Sequence, residues 1–178
     1  MESKKYKMIK QENGMFRVKA LKSFSIVSKG EFGGCIEKES NLAQSGDAWV
    51  YGNARVYGNA QVSGDAWVYG NARVYGNAQV YGNARVSGDA WVYGNARVSG
   101  NAQVYGDAWV YGNARVSGNA QVSGDAWVSG DAWVYGNARV SGSFNITTNV
   151  KEKLPRVLID NPETLNAVLK FLKKYEVK

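Results

Sequence analysis

Apolar and polar residues alternate with a fixed six-residue period between Gly46 and Ser141. The unit reads Gly, Asn or Asp, Ala, a variable residue, Val, then Tyr or Ser, and it occurs sixteen times without an insertion. Residues two apart in a strand share a face, so Ala and Val point to one side and the variable residue and Tyr or Ser to the other. Gly with Asn or Asp favours a corner, because these residues reach left-handed backbone angles at little cost. Each hexad is therefore predicted to be a short strand plus a turn, with Ala and Val inside.

The repeated run Val-x-x-Asn-Ala-x-Val resembles the hexapeptide repeat of left-handed parallel β-helix proteins. That resemblance implies three hexads per coil and three flat parallel sheets around a thin core of Ala and Val. We therefore expect an all-β solenoid at 46–147, an N-terminal β-hairpin that caps it at 1–45, and a C-terminal extension at 148–178.

The N-terminal segment carries the pattern of a β-hairpin. Lys5–Ile9 and Met15–Leu21 alternate polar and apolar residues, and Glu12-Asn13-Gly14 between them is a turn signal. An apolar path continues through Phe24, Ile26 and Val27. Because the end of a solenoid exposes strand edges and core side chains, we expect this segment to cover it.

Residues 30–42, which contain Gly33-Gly34-Cys35-Ile36-Glu37-Lys38-Glu39-Ser40-Asn41-Leu42, lead directly into the first hexads. They resemble the opening of hexapeptide-repeat proteins of bacteriophage and bacterial genomes, which implies a phage or mobile-element accessory protein. Cys35 is predicted to be a buried, inert thiol. One cysteine excludes an internal disulfide and favours the cytoplasm, that of the host cell if the protein is phage-encoded.

The C-terminal extension is predicted to hold a helix at about 162–175, capped by Asn161 with Pro162 at its first position. Phe144 takes the place of Ala in a last, altered hexad and could plug the final coil. A short amphipathic helix needs a partner surface, either the end of the rod or another subunit. The candidate capping or oligomerisation residues lie on one stripe: Leu165, Val168, Leu169 and Leu172.

A coil of 18 residues aligns the variable positions in three outer columns. The first is Trp49, Trp67, Arg85, Gln103, Gln121 and Arg139. The second is Arg55, Arg73, Trp91, Trp109 and Trp127. The third is Gln61, Gln79, Arg97, Arg115 and Trp133.

The aligned aromatic and arginine residues are the candidate ligand- or partner-binding set: Trp91, Tyr93, Trp109, Tyr111, Trp127, Arg97 and Arg115. An exposed aromatic patch is able to bind a sugar, a base or a protein. The alternative is cross-strand stacking that only stabilises the sheet. Corner residues Asp89, Asp107 and Asp125 also align, and they either hold a cation or, as we expect, accept hydrogen bonds within the turns. No metal site is predicted.

The net charge of +7 belongs to the two ends of the chain. Residues 1–45 carry +4 and residues 142–178 carry +3, whereas the six Arg and six Asp of the hexads cancel. A rod that gripped nucleic acid would need basic residues along its length, so nucleic acid is not an expected partner. The chain also has no apolar run long enough to cross a membrane.

The best-known enzymes that share the resembled coil, acyltransferases and a zinc carbonic anhydrase, depend on histidine, and this chain has none. We therefore expect a non-enzymatic protein without a cofactor. It binds a host protein or a small ligand, a role that could include counter-defence in a phage context. The first alternative is a self-assembling scaffold of trimers or stacked rods. The second is a divergent hexapeptide acyltransferase.

Overall fold

The computed structural model describes residues 4–143 and 145–147, and these form a parallel β-solenoid of about six turns with almost no helix. Before the coils lie β1 (Tyr6–Lys10), β2 (Phe16–Ala20) and β3 (Phe32–Ile36), followed by a 3-10 turn at Glu39–Asn41. From Trp49 to Val140 each strand comprises the variable residue and the Val of one hexad, and the last strand is Asn145–Ile146. The Gly and Asn or Asp between strands form the corners.

The strands of the described residues belong to three sheets. Sheet I contains β4 (Trp49–Val50), β7 (Trp67–Val68), β10 (Arg85–Val86), β13 (Gln103–Val104), β16 (Gln121–Val122) and β19 (Arg139–Val140). Sheet II continues β1, β2 and β3 with β5 (Arg55–Val56), β8 (Arg73–Val74), β11 (Trp91–Val92), β14 (Trp109–Val110), β17 (Trp127–Val128) and β20 (Asn145–Ile146). Sheet III contains β6 (Gln61–Val62), β9 (Gln79–Val80), β12 (Arg97–Val98), β15 (Arg115–Val116) and β18 (Trp133–Val134).

Successive strands of each sheet are parallel and align residues 18 apart. Arg55 pairs with Arg73, for example, and Trp91 pairs with Trp109. The backbone amide of Arg55 donates to the carbonyl of Ala72 at 2.9 Å, and the same bond recurs along the rod. Identical positions of the repeat therefore lie directly above one another.

The interior of the coils is built from small aliphatic side chains. The Ala and Val of the hexads are fully buried from Ala48 to Val134, and Val140 and Ile146 are almost fully buried. The alternation thus places the Ala and Val side chains of these hexads in the core, as the sequence predicts. The buried side chains of successive coils form one continuous core, so burial stabilises neighbouring coils together.

An antiparallel hairpin of β1 and β2 covers the N-terminal end of sheet II. Strand β3 is antiparallel to β2 but parallel to β5, so it joins the hairpin to the solenoid. The joint is close, because a Cβ atom on Gly33 would overlap the Val50 carbonyl oxygen and the Trp49 ring. Gly33-Gly34 is therefore required for the approach of two backbones.

Trp49 corrects one sequence expectation. Its column was predicted to point outward throughout, yet Trp49 is 0% exposed. The rings of Tyr6 and Phe24 pack edge-on against its indole at 6.3 and 5.2 Å between centroids. The N-terminal segment folds over this outer position of the first coil, so the first Trp becomes part of the core.

Lys5 and Tyr6 anchor the same end of the rod through backbone carbonyl groups. The Lys5 ammonium donates to the carbonyls of Ala48 at 2.9 Å and Gly46 at 3.1 Å, and Lys5 is 1% exposed. The Tyr6 hydroxyl donates to the Leu42 carbonyl at 2.6 Å. Both side chains therefore satisfy carbonyl oxygens of the first coil that would otherwise be buried without donors.

Two further expectations concern single residues. Cys35 was predicted to be buried, but it is half-buried, because it occupies the outer column of sheet II beside Arg55 while Ile36 takes the core position. Ile26 was placed on an apolar path, but it is 81% exposed, at the turn that links the facing residues Phe24 and Val27.

The remaining predictions for the C-terminal part, namely Phe144, the helix at about 162–175 and the stripe that includes Leu165 and Leu172, lie outside the described residues. In the part that is described, no helix has the length and apolar character needed to cross a membrane.

Lys5 and Tyr6 predict opposite changes of stability at alkaline pH. Burial lowers the pKa of Lys5 from 10.5 to about 8, and the negative charge of nearby Asp47 offsets part of this decrease. Between these values the unfolded chain holds the extra proton, so stability should rise with pH. Burial, and then Glu39, raises the pKa of Tyr6, so the unfolded tyrosine ionises first and stability should fall above about pH 10.

Both changes can be measured by urea unfolding of the wild type and of the Lys5→Met and Tyr6→Phe variants between pH 7.5 and 11. In the Lys5→Met variant the free energy of unfolding should no longer rise with pH, and in the Tyr6→Phe variant it should fall less above about pH 10. An unchanged pH slope in both variants would contradict the assignment.

Candidate functional site

The outer surface of sheet II is the candidate site, and we call it the ladder face. The 18-residue register aligns two columns there. One is Arg55, Arg73, Trp91, Trp109 and Trp127, and the other, two residues later in each hexad, is Tyr57, Tyr75, Tyr93 and Tyr111. The corner after each Tyr turns the chain toward sheet III.

Four tyrosine rings form a continuous stack on the ladder face. Successive centroids from Tyr57 to Tyr111 lie 4.9, 4.9 and 5.0 Å apart, and the ring planes differ by 1–3°. This distance follows the spacing of parallel strands, about 4.8 Å. Burial raises the pKa of Tyr57, Tyr75 and Tyr93, and an adjacent tyrosine raises it further for the last two.

A second stack, of tryptophans, runs beside the first. Trp91, Trp109 and Trp127 lie 5.1 and 5.3 Å apart with nearly parallel planes. The Arg73 guanidinium extends this stack, 4.7 Å from the Trp91 ring. Edge-to-face contacts join the two stacks, at 6.1 Å from Tyr75 to Trp91 and 6.3 Å from Tyr93 to Trp109.

This geometry decides what the rings offer to a ligand. Parallel rings whose centroids are 5 Å apart overlap face to face, so the faces of Trp109, Tyr75 and Tyr93 are covered on both sides. Trp91 is covered by Trp109 and by Arg73. Ring edges, not faces, therefore line most of this surface. Among the described residues, ring faces without an aromatic neighbour remain at the ends of the stacks, on Tyr57 beside Glu37, on Tyr111 beside Ser129 and on Trp127, which is 42% exposed.

The structure separates the candidate residues into two groups. Trp91, Tyr93, Trp109, Tyr111 and Trp127 lie together on the ladder face. Arg97 and Arg115 pair with each other on sheet III, where Arg115 lies 6.0 Å from the ring of Trp133. The Trp133 indole also donates to the Ser117 hydroxyl at 3.1 Å.

Sequence reasoning placed Arg55 and Arg73 in this column of the ladder face but did not select them as candidate residues, and it missed Tyr57 and Tyr75. A signal was available, because Tyr recurs at intervals of 18 residues from Tyr57 to Tyr111. Tyr93 and Tyr111 were selected because they accompany Trp91 and Trp109, whereas Tyr57 and Tyr75 follow Arg55 and Arg73 and were left out.

The corner side chains form ladders of their own. Side-chain amides of Asn59, Asn77 and Asn95 each donate to the side-chain oxygen 18 residues later, at 3.0–3.3 Å. Asn71 donates in the same way to Asp89. Within the described residues no cluster of three or more His, Cys, Asp or Glu side chains is placed to hold a metal ion.

The repeat that forms this surface is similar to a known protein family. The sequence profile of the family described as YdcK beta solenoid repeat matches nine overlapping segments, which together run from residue 48 to residue 146. These matches cover more than half of the chain.

The chain belongs to the YdcK beta solenoid repeat family. The family match spans the coils that carry the ladder face and begins after the N-terminal segment. No curated protein matches the chain.

Proposed function

We propose that this YdcK-type solenoid is a non-enzymatic binding protein and that the ladder face is its recognition surface. The observation that carries the proposal is the composition of that face: seven aromatic rings with exposed edges continue into Arg55 and Arg73. Neither arginine has a carboxylate within 4 Å in the described part of the chain. Tyr, Trp and Arg are the residues that dominate the energetics of protein interfaces.

A protein is the partner that this geometry favours over a small planar ligand. A sugar or a base gains most of its energy by stacking on an open ring face, and the internal rings have none. A flat row of ring edges and guanidinium groups suits another flat protein surface. The stack itself is preorganised, so binding would cost little side-chain entropy. A host protein, and interference with host defence by a phage or mobile-element product, remain the proposed context, supported by the N-terminal resemblance.

Finer features of the architecture belong to the same proposal. We propose three hexads per coil and a left-handed coil, which the 18-residue register and the resemblance to hexapeptide repeats support. The stripe of Leu165, Val168, Leu169 and Leu172 stays a prediction of capping or subunit contact.

Self-association is the second candidate function, and the exposed rings on the other sheets favour it. Tyr51 and Tyr105 on sheet I are 45% and 38% exposed, and Trp133 on sheet III is 41% exposed. Such rings on more than one side of a rod could join copies into trimers or bundles.

A matched pair of variants separates the two functions. Trp127→Ser with Arg55→Ser alters the ladder face, whereas Trp133→Ser with Arg97→Ser alters sheet III with the same residue types. Affinity capture from host lysate should return a partner with the wild type and with the sheet III variant, and lose it with the ladder-face variant. Light scattering of the purified protein gives its mass. A multimer that dissociates only in the sheet III variant, with no captured partner, would replace binding by self-association.

A further inference from the structure

A concavity of about 510 Å³ lies where the ladder face meets the N-terminal hairpin. The hairpin turn at Asn13–Met15 forms one wall, and Glu37, Arg55, Tyr57 and Arg73 form the rest. The topology brings these groups together, because β2, β3, β5 and β8 are neighbours in sheet II. The hairpin turn therefore borders the end of the ladder face that carries Arg55 and Arg73.

Two like charges lie side by side on one wall of this concavity. Arg55 and Arg73 are in register on adjacent strands, both exposed, and strand spacing separates their backbones by about 4.8 Å. Within residues 4–143 and 145–147, the one ion pair joins Lys4 to Glu39, so no carboxylate oxygen lies within 4 Å of either guanidinium. The Arg73 guanidinium stacks on the Trp91 ring, which restricts its position. An anion between the two groups would relieve their repulsion.

Glu37 and Tyr57 define what the anion must look like. One Glu37 carboxylate oxygen accepts a hydrogen bond from the Gly58 amide, which holds the side chain in place and leaves the three ionised groups with one net positive charge. The Tyr57 ring stacks on Tyr75, and among the described residues no second aromatic ring stacks on its side toward Glu37. A ligand with an anionic group and an attached ring would therefore pair the anionic group with both Arg residues and place its ring against Tyr57, within the same concavity.

We propose that the concavity binds the phosphate group of an organic phosphate monoester. A guanidinium presents a planar fork of N–H donors that matches phosphate oxygens, and two forks on neighbouring strands provide enough donors for a dianion. A carboxylate offers two oxygens to these forks, whereas the phosphate of a monoester offers three and carries more negative charge. The inference rests on the proposed binding role of the ladder face and adds a ligand class to it.

The test is a titration of the full-length protein with phenyl phosphate and, separately, with inorganic phosphate. The NMR signals of the Arg side chains are measured at each step. Phenyl phosphate should shift Arg55 and Arg73 and bind several-fold more tightly than inorganic phosphate, because its ring stacks on Tyr57. Equal affinities would indicate a site for the free ion and overturn the monoester proposal. Shifts that spread equally over Arg97 and Arg115 would indicate nonspecific attraction and overturn it as well.

Variants sharpen the result. Arg55→Ala should weaken binding at least about tenfold, since it removes a charge-assisted contact. Arg97→Ala, which alters the equivalent in-register pair on sheet III, should leave affinity within about twofold. Glu37→Gln keeps the acceptor for the Gly58 amide and removes the opposing charge, so it should tighten binding. Weaker binding by Glu37→Gln, or no loss in Arg55→Ala, would contradict the proposal.

Failure of this site is distinguishable from failure of the wider function. If phenyl phosphate does not bind while the ladder-face variant still loses its captured protein, only the phosphate proposal fails. If phosphate binds as expected and protein capture is indifferent to the ladder face, only the proposal of a protein partner fails.

Discussion

Replacing Trp49 by alanine is expected to lower the free energy of unfolding by about 3–5 kcal/mol, the usual cost of deleting a large buried aromatic side chain. Trp49 is fully buried and packs against Tyr6 and Phe24, so its loss leaves a cavity between the N-terminal segment and the first coil. The indole N–H has no acceptor among the described residues. A Trp49→Phe variant removes that unpaired donor and keeps most of the volume, so it should cost much less than alanine.

Trp67→Ala is the matched control, because residues 46–56 and 64–74 have the same sequence, Gly-Asp-Ala-Trp-Val-Tyr-Gly-Asn-Ala-Arg-Val. Trp67 lies half-buried on the outside of sheet I, where its loss should cost about 1–2 kcal/mol. Urea unfolding of both variants gives the comparison. Equal losses would show that the N-terminal segment does not cover Trp49.

Replacing Gly88 by alanine is expected to cost about 2–5 kcal/mol. Gly88 has φ +68, where a Cβ atom is unfavourable by about 1–2 kcal/mol. Its Cβ would also meet the backbone of the next coil, 2.8 Å from the Gly106 nitrogen and 2.9 Å from the Gly106 oxygen. Neither coil can move without breaking the register, so overpacking adds to the conformational cost.

Gly14→Ala provides the control for the conformational part alone. Gly14 lies in the hairpin turn with φ +81, and no described atom lies within 4 Å of an added Cβ. Its substitution should cost only about 1–2 kcal/mol. Thermal unfolding of the two variants separates the conformational cost from the cost of the steric contact. An equal loss of stability in both variants would mean that contact between stacked corners contributes nothing.

The hexad pattern was sufficient to predict the coils, because the residues of each hexad determine its strand, its corner and its buried side. Ala54 and Val56 alternate with polar neighbours, and Gly52 marks the corner, so the inward and outward sides follow from local sequence alone. The outer columns required one more assumption, the number of residues per coil. Once the register is 18, the neighbours of Trp109 above and below are determined.

The environment of Trp49 could not be predicted in this way. Its local sequence is shared with Trp67, and the difference arises from residues more than 20 positions earlier, Tyr6 and Phe24, that fold over it. Cys35 illustrates the same limit, because a one-residue choice of strand phase decides whether Cys35 or Ile36 faces the core.

The orientation of the aromatic rings was also beyond the sequence. Aligned Trp side chains could lie flat on a sheet and display their faces, or stand on edge and stack on one another. Rotamers and mutual packing decide between these states, and the 5.1 Å spacing of Trp91 and Trp109 shows that they stack. The concavity at Arg55 likewise depends on where the hairpin turn lies in space.

Disulfide formation between engineered cysteines tests the central claim, the 18-residue register, most directly. In a Cys35→Ser background, Gln103→Cys with Gln121→Cys places two thiols on adjacent parallel strands of sheet I, at a spacing that permits a disulfide. Gln103→Cys with Arg115→Cys places them 12 residues apart on different sheets. Mild oxidation should link the first pair rapidly within one chain and leave the second pair reduced. Preferential linkage of the second pair would contradict the register and the ladder face that depends on it.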